Sequence, residues 1–277
     1  MFLLMKMDVY GCRPGAAVEF RLLGPVEVWA GGHRIDLGPQ KQRFVLAVLA
    51  LQVNRLVPVD RLVDLTWGEA PPPSARHAIH DRVSRIRGAL AGAGWGAAEV
   101  EIVTRGSTYA LRADPMKIDA HRFRACVAWA RQESSDEKRA YALRRALALW
   151  HGPPLADVAT PSVDHLRLGL EEARLAALEE CFDAELRLGQ HGGIIDQLMD
   201  LAGQHPYRQR LVALLMLALY RDGRAPDALL TYQLIHDRLM DEFGLDPHIQ
   251  LQQLASAILR GDPALDLAPV AAASRRS

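Results

Sequence analysis

No apolar run in this chain approaches the roughly 18 consecutive residues that read as a membrane-spanning helix, so no membrane association is expected. Cysteine is scarce as well. The three copies, Cys12, Cys126 and Cys181, are odd in number and far apart. That argues against a disulfide framework and a zinc site, and points to a reduced, cytoplasmic protein. The start, MFLLMKMDVYGCRPGAA, lacks the apolar core behind a basic segment that marks a secretory leader, and residues 1–17 read as a flexible extension. Catalytic signatures are also missing: there is no GxxxxGK[ST], HExxH or GxSxG stretch, hence no sign of an ATPase module, a zinc protease or a hydrolase elbow. His77 and His80 stand three apart, but no cysteine or carboxylate set completes a metal site. Neither enzymatic activity nor a cofactor or metal is expected.

What is present suits two domains: 277 residues, 49% of them hydrophobic, allow each half a core. A net charge of zero hides an asymmetry. Residues 1–115 hold 14 Lys/Arg against 11 Asp/Glu, and the remainder holds 19 against 22. The excess is concentrated in residues 75–90, where Arg76, Arg82, Arg85 and Arg87 face Asp81 alone. A compact basic element on a neutral chain points to nucleic acid. The plain alternative is a solvated helix face.

Residues 18–37, VEFRLLGPVEVWAGGHRIDL, alternate apolar and polar and are cut by Gly-Pro and Gly-Gly, which predicts three short antiparallel strands. GPQKQRFVLAVLALQVN predicts a helix with Pro39 at its first position. VDRLVDLTWG predicts a second, with Asp60 in its first turn, Gly68 as its stop and Trp67 as a core residue. Three prolines make EAPPPSA a loop, after which Ser74 can cap a third helix. Beyond the loop GAGWGAAE, VEIVTRGSTYALR alternates around Gly106-Ser107 as a β-hairpin. Past Asp114-Pro115 the pattern is helical, so a domain boundary is expected near 113–118.

The second half contains a repeat. Gly189 and Gly223 lie 34 residues apart, and in that register Ala184 pairs with Ala218, Leu186 with Tyr220, Ile194 with Ala228 and Leu198 with Tyr232. A 34-residue period with small residues on facing helices matches tetratricopeptide-like repeats, whose helical hairpins bury their faces only by stacking. The expected fold is therefore an α+β winged helix-turn-helix over 18–114, an all-α repeat domain over 115–263 and a disordered tail over 264–277.

On the third helix, Ile79, Val83, Ile86 and Leu90 form one apolar stripe, which leaves His77, Asp81, Ser84 and Arg85 at the centre of the opposite face. Arg76, His80, Arg87 and Arg82 flank it. Polar tips framed by arginines suit a major groove, the centre reading base edges and the edges holding phosphates. A basic third helix followed by a hairpin is the winged-helix order. The hairpin tip offers Arg105 and Thr108 to phosphates or the minor groove.

EFRLLGPVEVWAGGHRIDLGPQKQR, NRLVPVDRLVDLTWGEAPP, RVSRIRGAL and VTRGSTYAL resemble the OmpR-type winged helix of the antibiotic-pathway regulators of actinomycetes, the SARP family. ALALWHGPPLADV, RLAALEE, HPYRQRLVALLMLALYRDGR, DALLTYQ and EFGLDP are similar to that family's bacterial transcriptional activation domain. The resemblance covers roughly residues 18–263. It implies an activator of secondary-metabolite genes that binds direct repeats near the −35 region of double-stranded promoter DNA as a homodimer and works at the nucleoid. It implies recruitment of RNA polymerase, through its sigma factor and its alpha or beta subunits, by the loop containing Glu69, Ala70, Pro71, Pro72 and Pro73.

One departure stands out. Asp81 occupies a position where the resemblance leads us to expect an apolar residue, usually valine. Aspartate repels phosphate; it can accept from cytosine N4 or pair with Arg85 one turn on, and the pairing is the expected arrangement. Asp81 also sustains a second reading of the chain, as a helical-repeat scaffold whose winged domain mediates protein contacts.

Overall fold

Strict alternation decides the first sheet. Val18 and Phe20 are buried while Glu19 and Arg21, alternating with them, are partly exposed, the period-2 signature of a strand with one face on a core. In the computed structural model, which describes residues 18–92 and 100–266, β1 (Val18–Arg21), β2 (Glu27–Ala30) and β3 (His33–Arg34) form an antiparallel meander. The expected extension at 1–17 and most of the GAGWGAAE loop fall outside the described residues.

Helix α1 (Gln40–Leu51) is buried continuously from Phe44 to Ala50 and forms the centre of the N-terminal core. Pro39 stands one position earlier than expected, as the residue preceding the helix. A two-residue strand, β4 (Val57–Pro58), leads into α2 (Val59–Trp67), which carries Asp60 in its first turn and closes on Gly68. Helix α3 (Ala75–Gly92) follows the exposed proline loop. Strands β5 (Val100–Arg105) and β6 (Thr108–Ala113) then pair antiparallel from Arg105↔Thr108 outward. The sheet order is β4-β6-β5; β4 is too short to have shown a pattern in the sequence.

A 3-10 turn (Pro115–Lys117), α4 (Asp119–Gln132), α5 (Asp136–Leu147) and α6 (Val163–Arg187) come next. The chain forms two compact units. The first unit runs to Gln132 and adds Ala142–Ala177; the second takes Glu133–Tyr141 and the residues from Leu178 on. The reason is a strap, residues 151–158, laid along the β1–β2 turn. His151 N–H donates to the Leu23 carbonyl at 2.8 Å, Leu155 N–H to Leu22 at 3.1 Å and Ala156 N–H to Gly24 at 3.2 Å. Asp157 accepts from Val26 N–H at 2.7 Å and pairs with Arg43 at 2.7 Å. Arg167 holds the strap from the other side, donating to the carbonyls of Pro154, Leu155 and Val158. The ALALWHGPPLADV segment thus packs on the N-terminal sheet.

In the second unit, α8 (Gln209–Arg221) packs against α7 (Ile195–Gln204), α9 (Ala225–Phe243) and α10 (Ile249–Arg260). The repeat has a backbone counterpart. After α6, Leu188, Gly189 and Gln190 donate to the carbonyls of Ala184, Leu186 and Glu185; after α8, Asp222, Gly223 and Arg224 donate to Ala218, Tyr220 and Leu219. Every bond of the first set recurs 34 residues later. Both glycines take the left-handed conformation that such a helix end requires, with φ of 76° and 78°. The tail expected to be disordered from 264 begins instead with a 3-10 turn, Pro263–Leu265, whose Leu265 carbonyl accepts from Arg221 at 2.9 Å; residues 267–277 lie outside the described residues.

Candidate nucleic-acid interface

The apolar stripe of α3 fixes which side of the helix faces out. Ile79, Val83 and Ile86 are fully buried and Leu90 nearly so. Each such burial stabilises by about 1.5–3 kcal/mol, so rotating the helix would cost several times that. His77, Asp81, Ser84 and Arg85 are consequently exposed together. Before α3, the Ser74 carbonyl accepts from Ala78 N–H at 2.9 Å.

The arginines divide. Arg85 has no hydrogen bond or ion pair among the described residues, so its guanidinium is open to solvent. Arg76 pairs with Asp60 at 2.5 Å in an exposed bridge of the kind that contributes little and exchanges readily for another anion. Arg82 is half-buried. It donates to the Ala78 carbonyl at 2.8 Å and lies over the Trp67 ring, 5.0 Å from its centroid. Burial, and then the nearby Arg85 charge, lower its pKa below the usual value, with Asp81 opposing. Arg87 is turned toward the hairpin: Nε and NH2 donate to the Ile102 carbonyl at 2.9 and 2.6 Å, and NH2 donates to Thr104 Oγ1 at 2.6 Å.

Two expectations need correction. Asp81 does not pair with Arg85; its described ion-pair partner is His77, at 3.6 Å one turn toward the N-terminus. Both i−4 and i+4 neighbours are within reach on a helix, and sequence spacing alone does not choose between them. Trp67 is not a core residue. It is half-exposed, with Lys41 Nζ 4.9 Å and the Arg82 guanidinium 5.0 Å from its ring centroid, because a cation gains from lying over an indole face.

At the hairpin tip Arg105 is exposed and its carbonyl accepts from the Thr108 hydroxyl at 2.7 Å, so Thr108 is engaged in closing the turn. Residues Glu69 to Pro73 are all exposed. The sequence reading missed Tyr109, which is buried on β6, meets His80 Nδ1 through its hydroxyl and carries the Arg87 guanidinium over its ring at 5.6 Å. Its signal was present: Tyr109 lies on the inward period of β6, and His80 and Arg87, seven apart, share one flank of α3. Among the described residues there is no cluster of metal-ligating side chains and no helix long and apolar enough to cross a membrane.

A basic helix whose polar face is left open, set beside a small three-stranded sheet that ends in the β5–β6 hairpin, defines a winged helix-turn-helix protein with a helical partner region. The family profile of the bacterial transcriptional activator domain matches residues 118–259. The chain is 38% identical over 253 residues to the regulatory protein AfsR of Streptomyces coelicolor, covering 90% of this chain but 25% of AfsR. It is 34% identical over 266 residues to the regulatory protein DnrI of Streptomyces peucetius, covering 90% of this chain and 94% of DnrI. The structure of Mycobacterium tuberculosis EmbR, solved in complex with a low-affinity phosphopeptide, superposes with a TM-score of 0.84 at 33% identity, over 89% of this chain and 66% of that one. The chain belongs to the SARP family of transcriptional regulators with a bacterial transcriptional activator domain.

Proposed function

We propose that the protein is a sequence-specific activator of secondary-metabolite, antibiotic-type biosynthesis genes that binds direct repeats in promoter DNA as a homodimer. The observation that carries this is the open face of α3: His77, Asp81, Ser84 and Arg85 exposed together, opposite a fully buried stripe. These four read base edges, while Arg105 at the wing and Arg76 at the helix start meet phosphates. Arg82, held on Trp67, shapes the helix and adds positive field. The exposed Glu69–Pro73 loop is the contact for RNA polymerase, since its prolines present an extended backbone at little entropic cost. Such an activator works at the nucleoid.

Gel retardation with duplexes from upstream of the gene and its neighbours, across a salt series, tests this. One duplex is retained in preference to the others, and log affinity falls steeply with log salt, by about 0.9 per phosphate neutralised. No retention at low salt contradicts the proposal and leaves the winged domain as a protein-contact module.

A further inference from the structure

Among the described residues strand β5 is an edge strand, because the sheet order is β4-β6-β5. Its outward carbonyls have no strand partner and must find another donor. Arg87 supplies one, with two donors on the Ile102 carbonyl and one on the Thr104 hydroxyl. The same guanidinium lies over Tyr109, the residue paired with Thr104 on one side and with Val57 of β4 on the other. One helical flank away, His80 meets the Tyr109 hydroxyl, with its ring edge-on at a centroid distance of 5.9 Å. Two side chains of α3 therefore grip one residue of the central wing strand, and one of them also grips the edge strand directly before Arg105.

We infer that Arg87 is a positioning residue: with Tyr109 and His80 it fixes the wing against α3, and so fixes where Arg105 meets DNA, without touching a phosphate itself. Its planar fork matches one carbonyl and one hydroxyl on the same strand, a geometry that a lysine ammonium does not reproduce. For its DNA readout the inference rests on the binding function proposed above; the clamp itself exists in the free protein.

The test uses the full chain and a duplex selected by the wild type from a random-sequence library. Arg87→Ala and Arg105→Ala each weaken binding about tenfold, and the double variant is also about tenfold weaker rather than about a hundredfold, because both remove the same contact. Arg87→Lys fails to restore affinity, although lysine would serve a phosphate. Additive losses, or full rescue by lysine, overturn the inference. In the DNA-free protein, amide exchange across Val100–Ala113 is faster in Arg87→Lys than in wild type, while α8 and α9 are unchanged; equal exchange in the wing overturns the clamp. Thr104→Val, which removes one acceptor, gives a smaller effect in the same direction if the Arg87 variants do not fold. Should the wild type retain no duplex, the DNA-binding proposal fails by itself and the exchange measurement still decides the clamp.

Discussion

The Leu22 backbone N–H donates to both carboxylate oxygens of Asp119, at 2.9 and 2.8 Å, across 97 residues of chain. Leu23 and Ala120 donate to the same carboxylate, and Phe20 forms a parallel bridge with Ile118 beside it. The first residue of α4 is thereby built into the N-terminal sheet, which is why the compact unit runs past the end of the hairpin.

Asp119→Asn should destabilise the protein by about 1–3 kcal/mol, since the amide nitrogen meets donors and leaves a buried N–H unpaired. Burial pushes the Asp119 carboxyl up from 3.8 to about 6, against its backbone donors and Arg122. The folded chain then holds more protons on this group than the unfolded chain does between pH 4 and 6. Its contribution to stability therefore weakens as pH rises through that window and is level above it. Urea unfolding of wild type and variant from pH 4 to 7 isolates the effect: the stability difference between them shrinks as pH rises. A difference that grows with pH would mean that the backbone donors outweigh burial.

Arg85→Ala should cost about 1–3 kcal/mol on the selected site and relax the base preference at one position. Arg105→Ala should weaken all sequences alike and reduce the salt slope by about one. Affinity measurements on the selected site, a single-base variant series and a salt series distinguish the two. Identical specificity profiles would break the division into a base-reading residue and a phosphate-binding one.

Asp81→Val should change which base is preferred at one position of each half-site, because a carboxylate that can accept from cytosine N4 gives way to a group that contacts a thymine methyl. It also releases His77 from its described ion pair. Site selection by the two proteins provides the comparison; unchanged preferences remove Asp81 from the reading face.

Gly189→Ala and Gly223→Ala should each destabilise by about 1 kcal/mol, because both positions hold positive φ. A Cβ on Gly223 meets nothing within 4 Å, so the penalty there is one of backbone conformation. Thermal melts should show similar shifts for the two variants. A shift at one position alone would mean that the two helix ends are not equivalent.

Local pattern carried much of this structure. The buried stripe of α3, the turn at Gly106 and the 34-residue spacing of Gly189 and Gly223 are short-range consequences of helix and strand periods, legible from residue order. The stacking of Arg82 on Trp67 and the bonds from Arg87 to the Ile102 carbonyl were not, because those partners lie on other elements and are brought alongside only by the fold. The strap at 151–158 and Asp119 were hidden for the same reason: their hydrogen bonds run to backbone groups that any sequence would supply. Asp81 shows a different limit, with two candidate partners one turn away in opposite directions and no sequence rule to choose between them.

Methylation interference on the selected duplex tests most directly whether the open face of α3 enters the major groove. Guanine N7 lies in that groove and adenine N3 in the other. The account predicts that N7 methylation within each half-site blocks wild-type binding and that Arg85→Ala loses this sensitivity at one guanine. Interference confined to adenine N3, or none at any guanine, would contradict it.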